Sequence, residues 1–162
     1  MNAPVTLSPE SLAKIDKAVA KYPSDRKDSA VMAALTIAQA EKGWLSTETM
    51  DFVAQYLGMP PVAVYEVASF YTMYDLKPTG KYKLTVCTNL PCALQGATHA
   101  AEHLKKVLGI GFNETTPDGR ITLKEGECMG ACGDAPVLLQ NNHKMLCAMN
   151  AEKIDQLLKE LK

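Results

Sequence analysis

The chain has 162 residues, of which 47% are hydrophobic and 22% are charged, and its net charge is −1. These values are typical of a globular chain of one or two small domains and exclude a disordered protein, while the near-zero charge gives no basic surface for nucleic acid. The most apolar stretch, residues 31 to 40, is interrupted by Thr36 and Gln39, so we expect no direct membrane insertion.

The first half of the chain has apolar residues at helical spacing in four segments. Each segment is bordered by residues that favour the start or the end of a helix. These border residues are Ser8 with Pro9, Asp28 with Gly43, Ser46 with Gly58, and Pro60 with Pro61. In the fourth segment the spacing directs Val62, Tyr65 and Ala68 to one apolar face. We therefore predict a helical bundle over residues 1–78.

The pattern changes after a turn-rich boundary at residues 77–80. Residues 82–87 alternate like a strand, and residues 91–108 have the spacing of one helix that ends at Gly109. Three strands follow, at 120–124, 137–140 and 144–148, and then a terminal helix capped by Asn150. This order predicts an α+β domain over residues 79–162, with a thioredoxin-like mixed sheet.

Four of the five cysteines form two pairs, Cys87-x4-Cys92 and Cys128-x3-Cys132. The pairs lack the C-x2-C-x2-C run of a bacterial [4Fe–4S] site, and no histidines are interleaved as Rieske ligation requires. Two pairs of thiolates on separate loops fit a [2Fe–2S] cluster best. We therefore predict that these four cysteines are the ligands of one [2Fe–2S] cluster.

Other uses of four cysteines stay open at this stage. Structural zinc also takes four cysteines, although its pairs are usually closer, as in C-x2-C. Disulfides are disfavoured because the sequence begins with a polar stretch and no apolar signal segment. A thioredoxin-like thiol catalyst would need C-x2-C, which is absent from the sequence.

Several blocks of the sequence, together with these pairs, resemble the E subunits of bacterial respiratory complex I, the NADH:quinone oxidoreductase. The blocks are Tyr22-Pro23 with Arg26-Lys27, residues 38–39, 43–45 and 67–73, Cys87 to Cys92, Glu127 to Cys132, and Ala135-Pro136. The cysteine blocks are the most specific. The subunits of this family carry a thioredoxin-like [2Fe–2S] ferredoxin domain.

The resemblance implies an electron-transfer role in a larger enzyme. It predicts a single [2Fe–2S] cluster here, and a partner flavoprotein subunit that binds NADH and FMN and exchanges single electrons with the cluster. The only G-x-G in this chain, Gly109 to Gly111, follows a predicted helix instead of a strand, so we expect no nucleotide site and no catalytic residue in the chain itself. The expected location is the cytoplasmic side of the inner membrane, held there through the complex. Equivalent subunits of an NAD-linked formate dehydrogenase or soluble hydrogenase share the pattern.

The remaining candidate residues have structural interpretations. Cys147 is predicted to be a buried apolar thiol on a strand. His99 and His103 share a helix face but lack a third ligand, so we expect solvated side chains. Among the aromatic residues of the first half, residues 70–74 are the best candidates for contacting a partner. Glu125, Glu127 and Asp134 lie near the second cysteine pair and predict a low reduction potential for a cluster there.

Overall fold

The structure, a computed structural model, describes residues 5–161. The first four residues of the first predicted domain and the last residue of the second lie outside the described residues. The chain divides into two compact units, Met1–Pro78 and Thr79–Lys162. Within residues 5–161, no helix combines the length and the apolar character needed to cross a membrane.

Within residues 5–78, the first unit, called the helical unit below, contains four α-helices. They are α1 (Pro9–Val19), α2 (Val31–Lys42), α3 (Thr47–Leu57) and α4 (Pro61–Phe70), and a 3-10 turn, Lys27–Ala30, precedes α2. The predicted helix borders are confirmed where capping chemistry is strong: the hydroxyls of Ser8 and Ser46 accept N–H bonds from the first turns of α1 and α3. The second helix begins later than predicted, because the backbone of Ala30 leaves the helical region at ψ 2°.

The core of the helical unit is apolar and shielded from solvent. Ile15, Leu35, Leu45, Val53 and Val64 are fully buried. The predicted apolar face of α4 was wrong for two residues, since Val62 is 63% and Tyr65 50% exposed. The helix buries Val64 and Ala68 instead, which lie on the same face at a spacing of four residues. Since α4 is apolar nearly all round, its sequence gives no clear signal of which face is buried.

The second unit, called the sheet unit below, has a mixed five-stranded sheet and three α-helices within residues 79–161. Its elements in chain order are β1 (Tyr82–Cys87), α5 (Leu90–Leu94), α6 (Ala97–Leu108), β2 (Glu114–Thr115), β3 (Ile121–Gly126), β4 (Leu138–Gln140), β5 (Lys144–Leu146) and α7 (Ala151–Glu160). The strand order is β2-β3-β1-β4-β5. β1 pairs with β3 in parallel, and every other pairing is antiparallel.

Two features of the sheet unit before β3 differ from the sequence prediction. The predicted helix 91–108 is two helices, because Gly96 has φ 95° and interrupts the helical path. β2 was missed, since its two residues, paired with Leu123 and Thr122 of β3, are too few to show an alternating pattern. The predicted alternation of helix and strands, and with it the α+β class, is confirmed.

The apolar core of the sheet unit lies on one face of the sheet. Leu84 of β1 pairs with Leu123 of β3, and both are fully buried. Leu104 of α6 and Ile154 of α7 belong to the same core cluster. α6 and α7 therefore cover this face and hold β1 and β3 in fixed register, which in turn fixes where the loops after these two strands begin.

Candidate metal centre

The two cysteine pairs leave the sheet at the same edge. β1 and β3 are neighbouring parallel strands, and Cys87, the last residue of β1, is in register with Gly126, the last residue of β3. The carboxyl ends of parallel strands meet at one edge of a sheet. The loop with Cys87 and Cys92 and the loop with Cys128 and Cys132 therefore start side by side, although 35 residues lie between Cys92 and Cys128 in the sequence.

The first pair is buried. Cys87 and Cys92 are each 1% exposed and pack with Ala97 and Val137 in a small apolar cluster. Cys87 is fixed by its backbone N–H, which donates to the Val137 carbonyl at 3.1 Å. Cys92 lies in the short helix α5, which begins directly after Asn89. These contacts exclude water from the first pair and hold both thiols at the sheet edge.

Burial changes the acidity of the first pair. It raises the pKa of the Cys92 thiol to about 11, and the hydrogen bond and charge of the neighbouring Cys87 add to the rise. A thiolate in an apolar site is costly unless a cation compensates it. Cys92 is therefore a protonated thiol at neutral pH in the metal-free chain, and a bound metal must displace its proton.

The second pair is exposed and closely spaced. The Sγ atoms of Cys128 and Cys132 lie 3.9 Å apart, close to the separation of roughly 3.8 Å expected for two thiolates on one tetrahedral ion with bonds of about 2.3 Å. The hydrogen bond from Cys128 raises the pKa of the Cys132 thiol. Gly130 has φ 72°, and its N–H donates to Cys128 Sγ at 3.4 Å. A side chain at this left-handed position would be strained.

The thiols of the two loops also act on each other. Cys132 contributes to the raised pKa of Cys92, and Cys87 contributes to that of Cys132. Within residues 5–161, no three His, Cys, Asp or Glu side chains surround one point as ligands of a single ion. Two neighbouring pairs fit a two-iron cluster, in which each iron takes two protein ligands.

Side chains next to the cysteines connect the two loops. Thr88 Oγ1 donates to Glu125 Oε1 at 2.9 Å, and Asn89 Nδ2 donates to Glu127 Oε2 at 3.4 Å. Between these bonds, the Thr88 N–H donates to the Gly126 carbonyl at 3.2 Å. The sequence placed the two glutamates near the second pair but gave no sign of their contact with the first loop. Only the parallel pairing of β1 with β3 brings these segments together.

The other candidate residues lie outside this arrangement. Cys147 is exposed and follows the end of β5, so its predicted burial on a strand was wrong. β5 is a short strand at the edge of the sheet, and Cys147 lies beyond its pairing with β4. His103 Nε2 lies 2.7 Å from Asp155 Oδ1 of α7, an arrangement that connects two helices. The Ala135–Pro136 peptide bond, next to the second loop, is cis.

The fold and the paired thiols define a class, the small α+β iron–sulfur electron carriers. The chain matches the family model described as thioredoxin-like [2Fe-2S] ferredoxin over residues 15–162. The chain therefore belongs to this family, and its cofactor is one [2Fe–2S] cluster. The predicted thioredoxin-like character of the sheet unit is confirmed by the same match.

Two curated relatives and one solved structure illustrate the similarity. The chain is 42% identical, over 87% of its length, to NADH dehydrogenase [ubiquinone] flavoprotein 2, mitochondrial, of Dictyostelium discoideum, and spans 58% of that protein. It is 40% identical over 99% of its length to the E subunit of the NADH-quinone oxidoreductase of Rickettsia felis, covering 96% of it. An NAD+-reducing [NiFe]-hydrogenase in the air-oxidised state superimposes with TM-score 0.68 at 21% identity, over 78% of this chain and 22% of the hydrogenase chain. At that identity the superposition shows a shared fold alone.

Proposed function

We propose that this chain is the [2Fe–2S] electron-transfer subunit of an NADH:quinone oxidoreductase, and that Cys87, Cys92, Cys128 and Cys132 hold its cluster. The observation that carries the proposal is the meeting of two thiol pairs at one sheet edge in a member of this family. Relatives named as subunits of NADH-quinone oxidoreductase, about 40% identical over most of the chain, support the assembly.

The residues of the chain bind the cluster and shape its surroundings. When bound, the cluster supplies one-electron chemistry, accepting and returning a single electron. The buried pair, Cys87 and Cys92, keeps water away from one side. The exposed pair, Cys128 and Cys132, leaves the other side open toward a partner. The Gly130 N–H stabilises negative charge on Cys128 Sγ by hydrogen bonding.

NADH and FMN bind to a partner flavoprotein subunit in this proposal. In the chain itself the only G-x-G, Gly109 to Gly111, follows the helix α6, whereas a dinucleotide site needs this motif between a strand and a helix. We expect the purified chain to show no NADH oxidation and to gain a role in that reaction only when it is bound to the flavoprotein. Measurable NADH:ferricyanide activity of the purified chain alone would contradict this assignment.

The helical unit offers a docking surface for the flavoprotein. Val62, Tyr65, Phe70, Tyr71 and Met73 form what we call the α4 surface, an exposed apolar set on α4 and the segment after it. Phe70 is 78% exposed and packs edge-to-face against Tyr71, with ring centroids 5.0 Å apart. Exposed aromatic residues are enriched at protein interfaces. Tyr74, predicted as part of this contact region, is instead buried, and its hydroxyl donates to the Met32 carbonyl.

Phe70→Ala tests the docking role. We expect it to weaken capture of the flavoprotein subunit about fivefold or more, because truncating an aromatic residue at the centre of an interface costs more than about 1 kcal/mol where it is a hot spot. Val107→Ala is the matched control, since Val107 is an exposed apolar residue on α6 of the sheet unit. Equal capture by both variants and the unchanged chain would contradict a docking role for the α4 surface. Through this contact the chain would be held at the cytoplasmic side of the inner membrane.

Metal content and EPR test the cluster and its ligands. We expect the purified chain to contain about two irons and two acid-labile sulfides, and to give a [2Fe–2S] EPR spectrum after reduction with dithionite. Single Cys→Ser changes at positions 87, 92, 128 and 132 should abolish or alter that spectrum, whereas Cys147→Ser should leave it unchanged. A colourless protein that contains zinc, or a cluster lost on Cys147→Ser alone, would overturn the assignment.

A further inference from the structure

We propose that Glu125 and Glu127 are positioning residues of the cluster site: they brace the first cysteine loop against the second, and their charges lower the cluster's reduction potential. The proposal rests on the proposed cluster and adds two specific residues to it. The motivating observation is a row of three hydrogen bonds between the two cysteine loops. In each bond, both residues lie within three positions of a cysteine.

The bracing role follows from which segments the contacts join. Thr88 and Asn89 directly follow Cys87, while Glu125 and Glu127 precede Cys128 by three residues and one. The two side-chain bonds flank the backbone bond from Thr88 to Gly126 and so extend the β1–β3 pairing beyond the ends of the strands. Any movement of one cysteine loop away from the other breaks these bonds. The brace therefore fixes the spacing between the two thiol pairs.

Gly126, between the two glutamates, makes this close approach feasible. A Cβ atom at this position would lie 2.6 Å from Thr85 Cγ2 and 3.0 Å from Met129 Cε. Thr85 belongs to β1, and Met129 lies between the cysteines of the second loop. The absence of a side chain at Gly126 therefore lets the start of the second loop pack directly on β1.

The electrostatic role follows from charge and position. An all-thiolate [2Fe–2S] cluster becomes more negative by one charge on reduction, so fixed carboxylates nearby oppose that step. The Thr88 hydroxyl and the Asn89 amide donate to the two carboxylates and hold them at the seam between the thiol pairs. No lysine or arginine occurs in the sequence from Glu125 to Asp134. The two hydrogen bonds therefore hold both carboxylates at this edge of the sheet.

Charge and brace are separated by two kinds of variant. Glu125→Gln and Glu127→Gln keep an acceptor oxygen and remove the charge, whereas Thr88→Val removes the donor and leaves the charge. For each Gln variant we expect the equilibrium constant for cluster reduction to rise at least threefold, or roughly 28 mV at 59 mV per tenfold change for one electron. Glu125→Asp retains the charge. We therefore expect its reduction potential to lie closer to that of the unchanged chain than the potential of Glu125→Gln does.

Glu160→Gln is the matched control for the charge. Glu160 is the last residue of α7, and the following Leu161 carbonyl accepts a bond from Arg120, which precedes β3. Glu160 therefore lies near the start of β3, whereas Gly126 is its last residue. The two ends of this strand are roughly 20 Å apart, the length of six residues of strand. Potentials are measured by EPR-monitored redox titration of the full-length holo-protein. A shift in the Gln variants no larger than that in Glu160→Gln overturns the electrostatic role.

Loss of iron to a chelator tests the brace. We expect Thr88→Val to lose iron at least threefold faster than the unchanged chain, and Thr88→Ser, which retains the hydroxyl, to lose it at the original rate. Equal rates for all three proteins overturn the bracing role. If the unchanged chain contains no [2Fe–2S] cluster, the proposed function itself fails. A normal cluster with unmoved potentials and unmoved loss rates in the variants contradicts only the further inference.

Discussion

The helical unit and the sheet unit differ in how their apolar residues and their polar or reactive residues are arranged. In the helical unit apolar side chains from all four helices fill a continuous core, and the capping hydroxyls of Ser8 and Ser46 lie at the starts of α1 and α3. In the sheet unit the apolar core lies against one face of the sheet, and the two cysteine loops begin at one edge, where β1 and β3 end. The difference indicates that a core mutation in the helical unit should spare the thiol site, while small changes at the sheet edge should damage it.

Each unit offers its own spectroscopic probe. Trp44 is the only tryptophan of the chain and lies between α2 and α3. The visible absorbance of a bound cluster reports the sheet unit. Denaturation followed with both probes therefore distinguishes effects on one unit from effects on the other.

The largest expected effect is that of Leu35→Ala. Leu35 is fully buried in the helical unit, and truncation of a buried leucine costs about 2–5 kcal/mol of free energy of unfolding. We expect the Trp44 transition to move to lower guanidinium concentration while the cluster absorbance keeps its midpoint.

Val62→Ala is the control for Leu35→Ala, because Val62 is largely exposed on α4. We expect this control to change the free energy of unfolding by less than about 0.5 kcal/mol. If Leu35→Ala shifts both probes equally, the two units unfold as one and the comparison fails.

Gly126→Ala tests the sheet edge in the same way. The added Cβ meets Thr85 and Met129 at distances that force atoms to move, and overpacking of this kind costs about 1–3 kcal/mol. We expect lower iron content and an earlier loss of cluster absorbance, with the Trp44 transition unchanged. Gly133→Ala is the matched control in the second loop, since a Cβ there has nothing within 4 Å. Full iron content in Gly126→Ala would show that the close approach of the second loop to β1 is unnecessary.

A smaller effect is expected from acid on the helical unit. Hydrogen bonds from the Ser11 hydroxyl and from the Ser8 backbone lower the pKa of Glu41 from 4.5 to about 2. Because the folded-state pKa is depressed, this stabilisation is complete above pH 4.5 and is lost as the pH falls toward 2. The Trp44 transition of Glu41→Gln should therefore depend less on pH between 4.5 and 2 than that of the unchanged chain. Glu66→Gln, on α4, is the control, and identical slopes in all three proteins would refute the role of Glu41.

The smallest expected effect concerns the order in which the five thiols react with a labelling reagent. In the holo-protein we expect iodoacetamide to modify one thiol per chain, at the exposed Cys147, because the other four are the proposed ligands. After the cluster is removed, Cys128 and Cys132 should react next, and the buried Cys87 and Cys92 last. Mass spectrometry of the labelled peptides gives the order. Early labelling of Cys92 would contradict the difference in burial between the two pairs.

Local chemistry made much of the fold predictable. Ser8, Ser46 and Asn150 accept bonds from the first turns of their helices, and Gly43 and Gly58 take left-handed conformations at helix ends. These signals act over three or four residues, so they can be read directly from the sequence. The exposed side of α4 was missed because it depends on packing with distant parts of the chain, and the break at Gly96 was missed although glycine takes left-handed conformations readily.

The sequence alone determined the helix starts capped by Ser8, Ser46 and Asn150, the α+β order of elements and the two cysteine pairs whose spacing favoured a [2Fe–2S] cluster. Tertiary structure decided which loops meet. The parallel pairing of β1 with β3 places Thr88 and Asn89 beside Glu125 and Glu127. Packing with Ala97 and Val137 buries Cys87 and Cys92, whereas Cys147 lies exposed after β5. No local pattern carries that information, because strand pairing depends on residues that are far apart in sequence and come together only when the apolar face of the sheet is buried.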